Sequence, residues 1–246
     1  YTPKFIKKAQ TITTVSEFSK KDIIHNYNTD ADKIQVVYSG VKDIFHPLTN
    51  NEQDAIKKKY TEGKEYFIYT GAIQPRKNLI NLLKAFSIFK KRQKSEMKLV
   101  LAGRLAWKND AFLDLLKTYK YKADVVLTNY VEEKELAKLT ASAYALVYPS
   151  LFEGFGVPVL EAMQCNVAVL TSVNSSMQEI AEDAALYFDA TNHTDMAEKL
   201  MLIYKDESLR SRLIEKGKQV VVNYNWERTA NLLWQSVLKA VAARKV

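Results

Sequence analysis

The sequence is poor in the residues that build redox centres and metal sites. It contains one cysteine, Cys165, and three histidines among 246 residues. A single cysteine excludes an intrachain disulfide framework and a cysteine-based zinc site, which fits a reducing cytoplasm. The histidines His25, His46 and His193 are scattered and belong to no nucleophile motif. We therefore predict structural roles for the histidines and a small, buried, apolar residue at Cys165.

Long apolar runs, internal repeats and glycine-serine linkers are also missing. No stretch approaches the roughly 18 consecutive apolar residues of a membrane-spanning helix. Hydrophobic residues make up 47% of the chain, enough for the core of one large or two small domains. The net charge of +8 would suit nucleic acid, an anionic membrane surface or a phosphorylated small molecule. Because no RNA-binding aromatic signature, zinc-finger spacing or zipper is present, we predict no nucleic-acid partner.

One stretch, residues 149–163 (PSLFEGFGVPVLEAM), organises the rest of the chain. The run before it, Ala145 to Pro149, is typical of a strand buried in a parallel sheet. Pro158 suits the first turn of a helix, because its missing N–H has no partner there. Gly154 and Gly156 lie between the two, where they can adopt positive φ or let a ligand approach the backbone. Since a helix start also offers unpaired N–H groups, the loop is a candidate cradle for an oxygen-rich ligand.

Two carboxylates, Glu153 and Glu161, bracket this loop with seven residues between them. Acids near a helix N-terminus are common surface groups that interact with the helix dipole, and either glutamate alone favours that interpretation. Together with the glycines and the switch from strand to helix, the pair favours a binding site.

The string EGFGVPVLEAM, from Glu153 to Met163, resembles the E-x7-E signature of retaining GT-B glycosyltransferases of group 1. The resemblance implies an α/β fold with a doubly wound, Rossmann-like parallel sheet that forms the C-terminal half of a GT-B fold. It implies transfer of a hexose, with retention, from a nucleotide-diphosphate sugar to a polysaccharide or lipid-linked acceptor. A catalytically silent nucleotide-sugar-binding module and a nucleotide-sugar epimerase of the same fold stay open as alternatives.

The same resemblance assigns roles within the loop. Glu153 would contact the transferred sugar as the catalytic residue, and Glu161 would accept hydrogen bonds from the ribose. Backbone N–H groups around Gly154, Phe155 and Gly156 would hold sugar hydroxyls. A glutamate in a loop paired with one in a helix fits ribose binding better than it fits the acid and nucleophile of a glycoside hydrolase.

A second loop, Thr70 to Asn78 (TGAIQPRKN), places two cations just before a predicted helix. Arg76 and Lys77 could bind one pair of phosphates there, together with free N–H groups. The same sequence would also be found if both residues were only surface charges beside a turn. The loop resembles the family's diphosphate loop, which assigns Arg76 and Lys77 to the diphosphate and Gly71 to the donor site. Ala72 stands where many relatives carry an arginine, so the arginine role falls to Arg76.

Two further segments, residues 101–110 (LAGRLAWKND) and 128–136 (TNYVEEKEL), resemble those that line the family's nucleotide pocket. Gly103 would allow close approach of the ligand, and Tyr130 and Val131 would lie beside the base.

Other positions allow more than one interpretation. Asn129 stands where glycine is usual, so the loop before Tyr130 is expected to differ. Trp107 either lines the nucleotide pocket or packs under its loop. The segment SSMQE, residues 175–179, predicts a capping box that joins Ser175 to Gln178 or Ser176 to Glu179. The basic run at residues 90–92 is predicted to be a solvated helix face.

Strands and helices alternate along the chain, which favours a parallel, doubly wound sheet. The predicted strands are Tyr66–Thr70, Lys98–Ala102, Val125–Leu127, Ala145–Tyr148, Val167–Leu170 and Leu186–Phe188. Ligands of such sheets sit at the carboxyl ends of the strands. Because Gly71, Gly103, Tyr130 and Glu153 all follow strands, we expect them to converge on one cleft.

The resemblance also divides the chain. Residues 1–29 would be the remnant of a preceding acceptor domain and its junction, residues 30–225 the donor-binding domain, and residues 226–246 a helix that returns toward the first domain. Trp226 and Trp234 are predicted on a packing face of that helix, as core residues. Without the first domain, the face is expected to be exposed or paired with another copy.

No metal cluster is evident in the sequence, and the cations and helix dipoles could neutralise the leaving diphosphate, so we predict no cofactor and no metal requirement. The predicted partners are a nucleotide-sugar donor and a carbohydrate or lipid-linked acceptor, the latter bound mainly by the first domain. The predicted location is cytoplasmic, with peripheral association at the inner membrane face. The donor sugar, the base, the acceptor, the linkage and the oligomeric state are left open.

Overall fold

A computed structural model describes residues 1–107 and 109–243. Within them the helices are α1 (Thr2–Lys8), α2 (Glu17–Tyr27), α3 (Asn50–Thr61), α4 (Leu79–Gln93), α5 (Asp110–Lys117), α6 (Glu133–Ala141), α7 (Val157–Gln164), α8 (Met177–Ala181), α9 (His193–Lys205), α10 (Glu207–Val221) and α11 (Trp226–Ala243). The strands are β1 (Ile12–Thr14), β2 (Ile34–Val36), β3 (Tyr66–Thr70), β4 (Lys98–Ala102), β5 (Val125–Asn129), β6 (Ala145–Tyr148), β7 (Ala168–Ser172) and β8 (Ala185–Phe188). Short 3₁₀ turns lie at Ala31–Lys33, Pro75–Lys77 and Lys122–Asp124.

Six of these strands form one parallel sheet in the order β5-β4-β3-β6-β7-β8. The chain runs outward from β3 through β4 to β5, then returns to β6 on the other side of β3 and continues to β8. The strand order therefore reverses between β3 and β6, which is the switch point where such sheets bind ligands. The predicted doubly wound parallel sheet is confirmed, and each strand of this sheet lies within two residues of its predicted bounds.

The central strands are continuous apolar runs because both faces of the sheet are covered. All residues of β3, β6 and β7 are buried. Two buried tyrosines of β3 still satisfy their hydroxyl groups: Tyr66 donates to the carbonyl of Leu139 at 2.7 Å, and Tyr69 to that of Ala72 at 3.0 Å. Burial of these polar groups therefore carries little penalty.

The helices pack against the sheet through faces that the helical spacing predicts. In α4 the buried apolar residues include Leu79, Leu82, Leu83, Phe86 and Phe89. This face packs against α9, while α10 packs against α7 and β7. Cys165, which follows α7, is 2% exposed, as predicted for a small core residue.

One residue of the basic run at 90–92 is not solvated. Lys90 is 7% exposed, and its Nζ lies 2.9 Å from an Asp124 carboxylate oxygen and 3.2 Å from the carbonyl of Met97. The prediction of a solvated face is wrong for Lys90 because these acceptors, which come from later in the chain, let the ammonium be buried. Lys91 and Arg92 are exposed as expected.

Two features bear on the predicted division of the chain. β1 and β2 pair in parallel in a separate two-stranded sheet, with Ile12 opposite Ile34, so the strands on either side of position 30 are joined.

On α11, Trp226 is 52% exposed and Trp234 is 61% exposed. The prediction that these two tryptophans are core residues is therefore wrong for the described residues, and the exposed face that was expected on this helix is observed. The division into a junction, a donor domain and a return helix stays a prediction.

Candidate functional site

Four loops follow neighbouring strands and share one edge of the sheet. They follow β5, β4, β3 and β6, which are adjacent in that order. Since the strands are parallel, their carboxyl ends lie at the same edge, where the strand order reverses. These loops carry the sequence-predicted site residues except Glu161, which lies on α7.

A compact ion cluster joins the loop after β3 to the loop after β6. Lys77 Nζ lies 2.6 Å from Glu153 Oε1, and Arg76 Nη1 lies 2.9 Å from Glu153 Oε2. Lys77 Nζ also donates to the hydroxyl of Tyr148 at 2.8 Å, and Arg76 Nη1 donates to the carbonyl of Phe152. The two predicted diphosphate ligands and the predicted catalytic glutamate are thus in direct contact.

Burial and charge act in opposite directions in this cluster. Lys77 and Glu153 are 7% and 8% exposed, whereas the Arg76 side chain is 41% exposed. Burial alone would raise the pKa of Glu153, but Lys77, Ser150 and Arg76 together hold that pKa below its usual range. For Lys77, burial is the largest effect and lowers its pKa, while Glu153 opposes the shift. The cluster has two cations for one carboxylate, so a positive charge is left over to attract an anion.

The position of the two cations is fixed by the turn that carries them. Residues Pro75–Lys77 form a 3₁₀ turn, and Asn78 follows in the left-handed conformation with φ 62°. The Asn78 amide donates to the carbonyls of Pro149 at 3.0 Å and Ala190 at 2.7 Å. The N–H of Leu151 also donates to the carbonyl of Arg76 at 2.9 Å. These bonds hold the loop after β3 against the loop after β6.

The glycine loop has the conformation that its sequence predicts at one of its two glycines. Gly156 has φ 104° and stands as N-cap of α7, with Pro158 in the first turn. Gly154 keeps an ordinary φ. Phe155 turns its ring into the core, where it is 6% exposed and contacts Tyr38 and Tyr224. The loop therefore offers its backbone, not the Phe155 ring, to a ligand.

A second group of predicted residues lines an adjoining cavity of about 340 Å³. Its walls are Gly71, Ala72, Ala102, Gly103, Arg104, Tyr130, Val131 and Leu136. A Cβ on Gly103 would lie only 1.9 Å from the carbonyl oxygen of Gly71, so this position admits only glycine. A Cβ on Gly71 would lie 3.9 Å from Lys77 Cε, which places the cavity next to the ion cluster. Tyr130 is 75% exposed at the rim.

Glu161 lies on α7, outside the walls of that cavity, in a more acidic setting. Burial, and to a smaller extent Glu133, raise its pKa to about 7, and Lys42 partly opposes the shift. Lys42 Nζ forms an ion pair with Glu133 at 2.5 Å. Sequence reasoning missed both neighbours. No role was predicted for Lys42 from the sequence, and Glu133 lies in residues 128–136, the segment that resembles the lining of the nucleotide pocket.

Similarity to known proteins identifies the family of this chain. The family model described as glycosyl transferases group 1 matches residues 50–220. This chain belongs to that family. Among its relatives, O-antigen chain mannosyltransferase B of Escherichia coli is 30% identical over 223 residues, which cover 90% of this chain and 58% of the relative. O-antigen chain mannosyltransferase RfbU of Salmonella typhimurium is 33% identical over 182 residues, covering 74% and 47%. The chain thus spans about half the length of these curated relatives.

Solved glycosyltransferase structures share the fold of this chain. Sucrose-phosphate synthase from Thermosynechococcus elongatus superposes with a TM-score of 0.84 at 21% identity, over 98% of this chain and 61% of the other. Anabaena HepE, solved in complex with UDP and glucose, has a TM-score of 0.84 at 13% identity, over 97% and 65%. At such identities the likeness shows the fold alone, which is the Rossmann-like half of a GT-B fold.

The structure corrects one further prediction for this group 1 glycosyltransferase chain and adds detail at two other positions. Neither predicted capping box forms: Ser176 is the N-cap of α8 but its side chain makes no cap bond, because it donates to loop carbonyls. Trp107 is 63% exposed and is not among the residues that line the cavity, so the choice between its two interpretations stays open. Asn129 adopts φ 57°, in the left-handed region that glycine and asparagine enter more readily than other residues.

Within residues 1–107 and 109–243, no group of three or more His, Cys, Asp or Glu residues could hold a metal ion. In the same residues, no helix combines the length and apolar character needed to cross a membrane. The absence of a metal requirement stays a prediction.

Proposed function

We propose that this chain is the donor-binding half of a retaining glycosyltransferase that transfers a hexose from a nucleotide-diphosphate sugar to a polysaccharide or lipid-linked acceptor. The observation that carries the proposal is the contact of Arg76 and Lys77 with Glu153 at the switch point of the sheet. The names of the mannosyltransferase relatives favour mannose as the sugar and a growing O-antigen-type polysaccharide as the acceptor. A cytoplasmic enzyme at the inner face of the membrane would meet such an acceptor when it is lipid-linked.

The roles of the residues follow from their charge and position. The diphosphate would bind Arg76 and Lys77, whose excess positive charge stabilises the negative charge that develops as the diphosphate leaves the anomeric carbon. These fixed cations could do this without a metal ion. Glu153, held against both cations, would lie beside the sugar and contact it at the reaction centre. The glycines that line the cavity, Gly71 and Gly103, would let the nucleotide approach the backbone.

The nucleoside would occupy the cavity and extend toward α7. Tyr130 and Val131 would pack against the base, and the carboxylate of Glu161 would accept hydrogen bonds from ribose hydroxyls. N–H groups of Gly154, Phe155 and Gly156 would bind the hydroxyls of the sugar. Bonds from hydroxyls to a charged acceptor contribute about 1.5–3 kcal/mol each, so Glu161 would contribute strongly to nucleotide affinity.

Calorimetric titration with UDP, GDP and ADP and with their sugars tests the proposal. We expect one nucleotide series to bind, and Glu161→Ala to weaken its nucleoside diphosphate about tenfold or more. Glu215→Ala, which removes an exposed glutamate of α10, is the matched control and should bind as the wild type does. Failure of the wild type to bind any of these ligands would refute the proposal, and an unchanged affinity of Glu161→Ala would remove the ribose role.

Two other functions share this geometry up to the chemical step. A silent nucleotide-sugar-binding module would bind the donor but never consume it, and an epimerase would convert it without an acceptor. Product analysis of the donor, with and without acceptor, separates these from transfer.

A further inference from the structure

Serine hydroxyls donate hydrogen bonds to the backbone carbonyl oxygens of the glycine loop, residues 153–156. Ser176 Oγ lies 3.1 Å from the carbonyl oxygen of Glu153 and 3.0 Å from that of Phe155. The carbonyl of Gly154 accepts from Ser16 Oγ at 2.6 Å, and Ser19 Oγ lies 3.1 Å from the same oxygen. The carbonyls of the loop therefore point into the protein.

This arrangement decides where the N–H groups of the loop point. In a planar trans peptide the carbonyl of one residue and the N–H of the next point in opposite directions, and none of the described peptide bonds is cis. When Ser16 holds the carbonyl of Gly154, the N–H of Phe155 faces away from Ser16. No hydrogen bond among the described residues uses that N–H. The hydrogen bond at the Gly154 carbonyl thus orients the peptide group, and the Phe155 N–H on its opposite side is available to a ligand.

The hydroxyl that orients this peptide comes from a distant part of the chain. Ser16 precedes Gly154 by 138 positions and belongs to the segment before α2, in the predicted junction. It is fully buried. Its oxygen also accepts the N–H of Ser19 at 3.0 Å as the N-cap of α2. A single side chain therefore both starts a helix and holds the loop.

The start of α2 is fixed from a second direction. The two carboxylate oxygens of Glu179, on α8, accept the N–H of Glu17 at 2.7 Å and of Phe18 at 2.9 Å. A carboxylate at a helix N-terminus is stabilised by the free N–H groups and by the helix dipole. The ring of Phe18 also packs edge-on against Phe152, with 5.4 Å between centroids. Ser16 therefore approaches the loop from a rigid base.

We propose that Ser16 is a positioning residue for the donor sugar, an inference that rests on the proposed function. It holds the peptide between Gly154 and Phe155 so that the Phe155 N–H is directed at a sugar hydroxyl, and it does not contact the ligand itself. The nucleoside diphosphate binds elsewhere, at Arg76, Lys77 and the cavity. Loss of Ser16 therefore weakens recognition of the sugar and leaves recognition of the nucleotide unchanged.

The test compares Ser16→Gly with the wild-type protein. Glycine is nearly as good an N-cap as serine, so this variant removes the bond to Gly154 and largely keeps the helix start. Calorimetry measures the affinities for GDP and GDP-mannose, and for UDP and UDP-glucose as a second pair. We expect roughly a fivefold weaker affinity for the sugar nucleotide, as for one lost hydrogen bond, and an unchanged affinity for the nucleoside diphosphate.

Two further variants make each outcome decisive. Ser236→Ala removes a buried hydroxyl that donates within α11, to the carbonyl of Leu232, and should bind both ligands normally. Ser19→Ala removes the second hydroxyl beside Gly154, should cause a smaller loss selective for the sugar, and decides the matter if Ser16→Gly does not fold. Equal losses for both ligands, or no loss, would overturn the inference while the proposed function stands. A wild-type protein that binds neither pair would overturn both.

Discussion

Glu153 and Glu161 belong to one loop and the helix that follows it, yet their surroundings shift their pKa values in opposite directions. Burial opposes ionisation of both side chains. For Glu153 the contacts with Lys77 and Arg76 outweigh that effect, so the pKa falls. For Glu161 burial is reinforced by Glu133 and only partly offset by Lys42, so the pKa rises to about 7. The loop glutamate is therefore ionised at neutral pH, whereas the helix glutamate changes its protonation state near neutral pH.

The raised pKa of Glu161 predicts how the substitution Glu161→Gln changes the pH dependence of the free energy of unfolding. The folded-state pKa of about 7 lies above the ordinary value of 4.5. Between these values Glu161 binds more protons in the folded protein than in the unfolded chain, so its contribution to the free energy of unfolding falls as the pH rises. Glutamine does not titrate, and the stability of Glu161→Gln relative to the wild type should increase by about 2 kcal/mol from pH 5 to pH 7. Denaturant unfolding at pH 5, 6 and 7 measures this, and parallel profiles would contradict it.

At the scale of secondary-structure elements, the site depends on how α4 begins. Asn78 precedes this helix in the left-handed conformation and makes no cap bond within it. Its amide instead bridges to Pro149, after β6, and to Ala190, after β8. The residue thus links three loops at the carboxyl edge of the sheet and fixes the turn that carries Arg76 and Lys77.

Two substitutions of Asn78 separate its conformational role from its hydrogen bonds. Asn78→Gly keeps the left-handed conformation but loses both bonds, which should lower the free energy of unfolding by about 2 kcal/mol. Asn78→Ala adds the cost of a Cβ in that conformation and should be about 1 kcal/mol less stable again. Chemical denaturation of both variants is the measurement. Equal stabilities of the two variants would show that the conformation at Asn78 costs nothing.

The elements also show where local sequence rules were insufficient. The serines of residues 175–179 match a capping box, yet Ser175 accepts the N–H of Glu153 at 3.0 Å and Ser176 donates to the glycine loop. Glu179 binds the start of α2 instead of its own helix. A capping box considers only partners three residues apart. In the folded protein these side chains form hydrogen bonds with groups from distant segments instead of with their own helix.

At the scale of the whole molecule, α11 leaves an apolar face uncovered. Its exposed large apolar residues are Trp226, Leu233, Trp234, Val237, Leu238 and Val241. Soluble proteins seldom expose so many large apolar side chains on one helix without a partner. The aligned part of this chain covers 58% and 47% of the two curated relatives, so each relative has residues beyond it. The expectation that a preceding domain covers this face is consistent with both facts and stays a prediction.

This difference in length predicts a separation of binding from transfer. The 246-residue chain should bind the donor but transfer sugar poorly, because the acceptor would be held by residues that the relatives carry in addition. Calorimetry with nucleotide sugars measures binding, and incorporation of labelled sugar into a polysaccharide or lipid-linked acceptor measures transfer. Transfer by this chain at the rate of a longer form containing a preceding domain would show that the prediction is wrong.

The sequence by itself determined the sheet and the loops of the site. Apolar runs that alternate with helical spacing predicted the six strands of the main sheet within two residues, because strands buried on both faces admit few polar side chains. Glycine and proline at the ends of strands marked the loops, because only certain residues fit those backbone conformations. The resemblance to the group 1 family then assigned roles to Arg76, Lys77 and Glu153 within these loops before any contact was known.

Only the tertiary structure decided which of these groups touch, and which charge each one carries. The ion pair of Lys77 with Glu153 and the hydrogen bond from Ser16 to Gly154 connect residues that are far apart in the chain. The raised pKa of Glu161 depends on how deeply its side chain is buried. A short sequence pattern specifies neither the distance between two remote side chains nor the dielectric environment in which a side chain is buried. These properties arise when the strands assemble and the loops at their carboxyl ends exclude water from one another.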